Sequence, residues 1–368
     1  FRRRHRSLEA ALQLQGRRTE GRCGGDGIKM VMIPERIRRK QLDNRDDEGN
    51  KEKGWEFGAN IIGVGDNGRE ALHCLLREGF EGVRWLGLHR NPQARYPIGV
   101  DVIATYGSWA GIEHVVLPFG GGMPKSVLQF YRYRKRFFRT GKPSFVLADF
   151  SESVGRDAAP VAAADSHAIA VVAIPSLEKI IAPNALDFVE ARLYWRFQSL
   201  CQHTGVVIAM DDDVPSRIGE ASSKAMAKRQ SDFVGDLLHA MQGGANAALH
   251  WQEVEKFFSE PRRWGQCSLW RAWSSEAADV RSAMADARRV LSHGGALKAA
   301  KRVFIMIAGK EGEFSLMEVQ DAMDALTATL GEEAAVMLHV NYKRGGDGGV
   351  RVNMAVHKEG KESGKVEY

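Results

Sequence analysis

The sequence predicts an α/β protein with a parallel sheet and a second, smaller domain that follows a long helix. Three observations predict it. An apolar run, a glycine turn, a helical stripe and a second apolar run succeed one another over residues 60–88. Short apolar runs then alternate with helical spacings as far as residue 242. After residue 301 the order becomes strand, helix, strand, strand. Alternation of the first kind builds a parallel sheet through βαβ units, and the closing succession is an α+β pattern.

Asn60-Ile61-Ile62-Gly63-Val64-Gly65 has the length and apolarity of a buried strand, and residues 70–78 carry Ala71, Leu72, Leu75 and Leu76 at helical spacing. Residues 83–88 give the next strand, which runs into His89-Arg90. Residues 126–139 read as a helix with Val127, Phe130/Tyr131, Arg134 and Phe137/Phe138 on one stripe and a strongly basic opposite face. Interleaved cations and aromatics suit nucleic acid or an anionic membrane surface. The plainer reading packs the aromatics on the sheet and leaves the cations in water, so nucleic acid is not the expected partner. Strands fit 144–148, 169–174 and 205–210, helices fit 160–166 and 184–202, and residues 222–242 make one long connecting helix. Farther on, 303–308 is a strand, and Ser315-Leu316-Met317-Glu318 is a capping box opening a helix to about residue 330. Residues 334–342 and 350–357 are strands joined by a glycine-rich turn. The expected division is a charged, disordered arm over 1–56, a nucleotide-binding domain over 57–221, the connecting helix, a C-terminal domain over 243–358 and a tail over 359–368.

With 368 residues and 44% hydrophobic content the chain can bury two domain cores. No apolar run approaches the roughly 18 residues a membrane span needs. Cys23, Cys74, Cys201 and Cys267 show no CxxC spacing, which argues against zinc and a disulfide framework and for the cytoplasm. The net charge of +6 is local: residues 1–40 hold 12 Lys/Arg against 4 Asp/Glu, a surplus of 8 that leaves about −2 on the other 328. An organelle leader, with the stroma as destination, is the alternative reading of this arm, although Glu9, Glu20 and Asp26 are out of place in one.

Two stretches carry chemistry. Gly63-Val64-Gly65-Asp66-Asn67-Gly68 fits GxGxxG between a strand and a helix, where backbone amides and the helix N-terminus favour a phosphate. A dinucleotide enzyme would place an acidic residue at the end of the second strand. Arg90 stands close to it here and suits an NADP 2′-phosphate instead, which keeps an NADP-dependent oxidoreductase as an alternative. A tight turn without a ligand is the plain structural reading. The second stretch is FVLADFSESVGRDAAP, Phe145 to Pro160: a strand, a polar turn, then Ala158-Ala159-Pro160 leading into a helix.

That stretch resembles the phosphate loop of the tubulin/FtsZ superfamily, a strand, GGGTGTG, then AAP and a helix, with Ser151, Glu152, Ser153, Val154, Gly155, Arg156 and Asp157 at the seven loop positions. The resemblance extends to GVGDNG with the helix after it, to Gly121-Gly122-Met123-Pro124 (similar to GGxPE), to Ile169–Pro175 (similar to TVAVVTKPF), to Ala248–Val254 (similar to NLDFADV) and to the β-α-β-β ending. It spans roughly residues 57–358. It implies a parallel-sheet, Rossmann-like GTPase domain, a long connecting helix and a smaller α+β domain. It also implies GTP or GDP with Mg2+ as cofactor, and self-association or co-assembly with an FtsZ homologue in a cytoskeletal, division-type role. By this likeness Gly63, Gly65, Asp66, Asn67, Gly68, Gly121, Gly122, Ser153, Val154, Gly155, Arg156 and Asp157 line the phosphates. Asp211 and Asp232 stand where the guanine is read.

The departures point to weakened chemistry. Glu152 and Asp157 put carboxylates at or near a helix start, where they satisfy the dipole as a phosphate would. A carboxylate about 5 Å from a phosphate oxygen costs roughly 3 kcal/mol at an effective dielectric near 20, on the order of 100-fold in affinity. In the family's catalytic loop, which a neighbouring subunit inserts into the nucleotide site, the matching positions are Ala248, His250 and Glu253. Glu253 keeps a carboxylate, whereas His250 cannot supply one beside a cation. The expectation is GTP hydrolysis reduced or lost. An active GTPase that uses Glu253, His250 and Arg156 is the alternative.

Overall fold

In the computed structural model, residues 30–31, 58–89, 101–104, 142–163, 168–175, 180, 188–211, 223–242, 249–259, 267–292, 295–342 and 349–358 are described. Their strands are β1 Met30–Val31, β2 Ala59–Val64, β3 Val83–His89, β4 Asp101–Ala104, β5 Ser144–Asp149, β6 Ala168–Ile174, β7 Val206–Asp211, β8 Ser268–Ala277, β9 Ala300–Gly309, β10 Ala335–Tyr342 and β11 Val350–Lys358. The helices are α1 Gly65–Arg77, α2 Ser153–Ala162, α3 Phe188–His203, α4 Ser223–Gln242, α5 Trp251–Phe258, α6 Val280–Leu291 and α7 Leu316–Thr327.

These strands form one 11-stranded sheet in the order β1-β10-β9-β11-β8-β7-β6-β5-β2-β3-β4. All pairings are parallel except those of β11, which runs against both β8 and β9. The expected α/β class is thus observed. Strands β2 to β7 take the doubly wound order in which the sequence reverses direction between β2 and β5. That reversal leaves a crevice beyond the carboxyl ends of β2 and β5.

Full burial of β2, β5 and β6 on both faces explains why they read as unbroken apolar runs instead of alternating ones. On one face Ile61 and Leu147 pack with Leu72 and Leu75 of α1 and with Phe233 and Leu237 of α4. On the other, Ile62 and Val146 pack with Ala158 and Ala162 of α2 and Phe197 of α3. Helix α4 lies along α1 and also meets β8, so it bridges the two parts of the sheet. The capping box is formed: the Ser315 hydroxyl accepts from the Glu318 amide, and Glu318 accepts from the Ser315 amide.

Three findings differ from the sequence reading or were absent from it. Helix α2 begins at Ser153, seven residues before Pro160, so the seven expected loop positions reduce to a tight turn followed by helix. With the loop's glycines replaced by residues that lose less entropy in a helix, the backbone coils early and takes Pro160 into the helix interior. Strands β4 and β8 and helices α5 and α6 were not foreseen; in β8, SLWRAWSSEA mixes Trp with polar residues, which masks its period. Met30–Val31, within the basic arm, pair in parallel with β10. The expected helix over 126–139 lies outside the described residues.

Candidate functional site

Two turns meet at the crevice. The first joins β2 to α1 through Gly65, whose φ of 77° favours glycine and whose added Cβ would stand 2.2 Å from Glu152 Oε2. The second joins β5 to α2: Phe150, Ser151 and Glu152 turn the chain, and the Glu152 amide donates to the Asp149 carbonyl at 3.3 Å. Glycine is required at Gly155 because a Cβ there would lie 2.0 Å from the Asp149 carbonyl oxygen. The first turn of α2 is thereby pressed against the end of β5.

Glu152 links the turns. Its carbonyl accepts from the Arg156 amide at 3.0 Å and so opens α2. Its side chain turns away to α1, where Oε2 accepts from the Asp66 amide at 2.9 Å and Oε1 from the Asn67 amide at 2.8 Å. The carboxylate expected to serve its own helix therefore satisfies the orphan donors of another. Burial, reinforced by the charges of Asp149 and Asp66, pushes the Glu152 carboxyl up to about 7, against the opposing pull of the two amides. Burial also raises Asp149, whose Oδ1 accepts from the Ser151 amide at 2.7 Å.

Of the residues singled out in the sequence, Gly63, Gly65, Asp66, Asn67 and Gly68 form the first turn, and Ser153, Val154, Gly155, Arg156 and Asp157 the opening of α2. The structure brings these two groups together. The Arg156 guanidinium donates to the Phe150 carbonyl at 3.2 Å, and Asp66 is paired with Arg69 at 3.5 Å. Asp211 ends β7 at the same carboxyl edge of the sheet, buried and in register with Ile174. Asp232 lies on α4, where its carboxylate meets Lys228 at 2.7 Å and Arg351 at 3.2 Å. Burial raises its carboxyl, and the two cations oppose that shift. The α4 residue that reaches the turns is Gln230. It accepts from Asn67 Nδ2 at 2.8 Å and donates to the Ala148 carbonyl at 2.8 Å. No sequence signal pointed to it, since its partners are 163 and 82 residues away. Gly121, Gly122, Ala248 and Arg90 lie outside the described residues.

His250 and Glu253 are elsewhere. His250 caps α5 and Glu253 sits in its first turn, both exposed. The Leu249 amide donates to the Ala240 carbonyl at 2.7 Å, and Trp251 meets the ring of Phe145, near the start of β5, at 5.9 Å. This is the amino end of the strand whose carboxyl end carries Glu152. At about 3.3 Å per residue the two ends lie more than about 13 Å apart. The structure does not bring His250 and Glu253 to the glycine turns of the same chain. Among the described residues no three His, Cys, Asp or Glu side chains are grouped to hold a metal ion.

No protein-family pattern and no curated protein matches this sequence. Solved structures do. An FtsZ dimer of M. jannaschii, described as empty, shares 15% identity over 89% of this chain and 92% of its own, with a TM-score of 0.61. The chain adopts the tubulin/FtsZ fold. CetZ2 from Haloferax volcanii, in a GTPγS-bound protofilament, matches 83% of this chain and 95% of its own at 16% identity and a TM-score of 0.53. TubZ of Bacillus thuringiensis serovar israelensis, in GDP-form protofilaments, matches 82% and 87% at 13% identity and a TM-score of 0.54.

Proposed function

We propose that the chain is a cytoplasmic, filament-associated protein of the tubulin/FtsZ type that binds guanine nucleotide weakly and hydrolyses it slowly or not at all. The observation that carries this reading is the convergence of the Asp66 and Asn67 amides on one anionic group at the carboxyl ends of β2 and β5. Two backbone donors at a helix N-terminus suit a phosphate oxygen, and a carboxylate oxygen stands in for it. The buried Asn67 Oδ1 has no donor among the described residues, so it can accept from a hydroxyl or N–H of the same ligand. These residues fit a nucleotide, which would supply the terminal phosphate as the group to be transferred.

The reading of reduced hydrolysis draws its support from the other end of the sheet. Exposed Glu253 and His250 can meet such a phosphate only in a second copy, stacked head to tail. Of the two, Glu253 carries a fixed negative charge, whereas a neutral imidazole cannot hold a divalent cation against phosphate as a carboxylate does. Self-association is the partner reading this geometry supports, and co-assembly with an FtsZ homologue uses the same faces.

The deciding experiment uses the full chain. Nucleotide that co-purifies is identified by mass spectrometry, and the protein is then sedimented with and without GTP. Guanine nucleotide bound below stoichiometric amounts, with pelleting of the protein, is the expected result. A chain that retains no guanine nucleotide at millimolar concentration and never pellets would overturn the proposal.

A further inference from the structure

We propose that Glu152 is a displaceable internal anion, which holds the turn amides in place of a phosphate so that nucleotide binds only by pushing it aside. This rests on the nucleotide reading above and deepens it.

Both carboxylate oxygens are engaged, one on the Asp66 amide and one on the Asn67 amide, as an incoming phosphate would engage them. The carboxylate lies flush with the turn, because even a Cβ at Gly65 would stand 2.2 Å from Oε2. A ligand and Glu152 therefore cannot share that volume. The contact falls where the strand order reverses, the place in a doubly wound sheet where a ligand is expected.

Displacement requires little of the fold. The Glu152 backbone is fixed independently by the Asp149–Glu152 turn and by the bond from the Arg156 amide, so side-chain rotation alone vacates the site. What holds the carboxylate is a pair of amides, while the charges of Asp66 and Asp149 push against it. The nearby cations are engaged, Arg69 with Asp66 and Arg156 with the Phe150 carbonyl. In the absence of nucleotide the same contact keeps both helix starts formed, so the chain carries a substitute for its own ligand.

The test titrates GDP by calorimetry into the wild-type chain, Glu152→Ala and Glu152→Gln. At pH 8.5, where the Glu152 carboxyl is ionised, removing its charge near the phosphates is expected to tighten binding on the order of 100-fold in Glu152→Ala. Glu152→Gln, which keeps an acceptor without the charge, should fall between the two. Equal affinities in all three proteins overturn the internal-anion role and leave the nucleotide reading intact. Absence of binding in all three overturns both. Hydrogen exchange without nucleotide gives a second readout: the amides of Asp66 and Asn67 should exchange at least about tenfold faster in Glu152→Ala and slow again with GDP. Unchanged protection overturns the proposal. Should Glu152→Ala fail to fold, Glu152→Gln carries the affinity comparison.

Discussion

The carboxylate of Glu152 lies 2.8 Å from the backbone nitrogen of Asn67, so the residue that opens one helix caps another that begins far earlier in the chain. Two consequences for stability follow from the positions around this contact, and one for assembly from the distant Glu253. A fourth concerns the helix that bridges the sheet.

The Glu152 carboxyl titrates near pH 7 in the folded chain, raised from an ordinary value of 4.5. Between those values the folded state holds a proton that the unfolded state has released. Stability therefore falls as pH rises through this window, with the penalty absent below about 4.5 and complete above about 7. Glu152→Gln has no such proton. The melting temperature of Glu152→Gln minus that of the wild type should grow by a few degrees between pH 5 and pH 7.5, roughly 2–4 °C per kcal/mol for a chain this size. A constant difference across that range would mean that the carboxyl titrates normally.

Gly155 has no room for a side chain. A Cβ would sit 2.0 Å from the Asp149 carbonyl oxygen and 3.0 Å from the Asp149 amide nitrogen, so main chain must move to admit it. Gly155→Ala should cost about 1–3 kcal/mol in urea denaturation, the usual range for overpacking. It should also loosen Glu152, read as faster exchange of the Asn67 amide. A loss below about 0.5 kcal/mol would show that α2 is not seated against β5 as described.

The positions of β2, β5, β6 and β7 along the chain were legible in the sequence because these strands are short, apolar and followed by turns, and burial on both faces leaves no competing pattern. The capping box at Ser315 was legible for a different reason, since both partners lie within four residues. Where the anion site's occupant comes from was not legible. Glu152 could be placed at a helix start from the sequence, but which helix it serves depends on β5 lying beside β2, a pairing between residues more than 80 apart. Gln230 was missed on the same ground: only the seating of α4 on α1 brings it to Asn67. The onset of α2 was misplaced because Pro160 reads as a helix start, whereas the turn ahead of it had already lost its glycines.

The separation of Glu253 from the glycine turns makes a distinct prediction. Glu253 is exposed in the first turn of α5 and contributes little to the fold, so Glu253→Ala should change stability by less than about 0.5 kcal/mol. If catalysis across stacked copies has been lost, phosphate release from GTP by the full chain should also be unaffected. A tenfold fall in release at protein concentrations that pellet would restore the active-GTPase reading, and would place Glu253 at the neighbour's phosphate.

Arg351 on β11 stands between two carboxylates one turn apart on α4, with Nη1 at 3.2 Å from Asp232 and 3.3 Å from Asp236. Asp236 is fully buried and also accepts from Asn353 Nδ2 at 2.6 Å, so it is anchored to β11 twice. Lys228 supports Asp232 and reaches Glu276 of β8 at 3.0 Å, while Arg351 lies 3.7 Å from the same glutamate. The cluster fixes α4, the helix carrying Gln230, to β8 and β11. Arg351→Met keeps the aliphatic stem but strips the buried carboxylates of their shared cation, and removing one partner of a buried pair typically costs about 3–5 kcal/mol. Much of that cost is the uncompensated charge. Combining Arg351→Met with Asp236→Asn, which still accepts from Asn353, should therefore recover a substantial part of the loss in urea denaturation. Equal destabilisation of the single and double variants would mean that packing of the arginine stem, not its charge, seats α4 on the second half of the sheet.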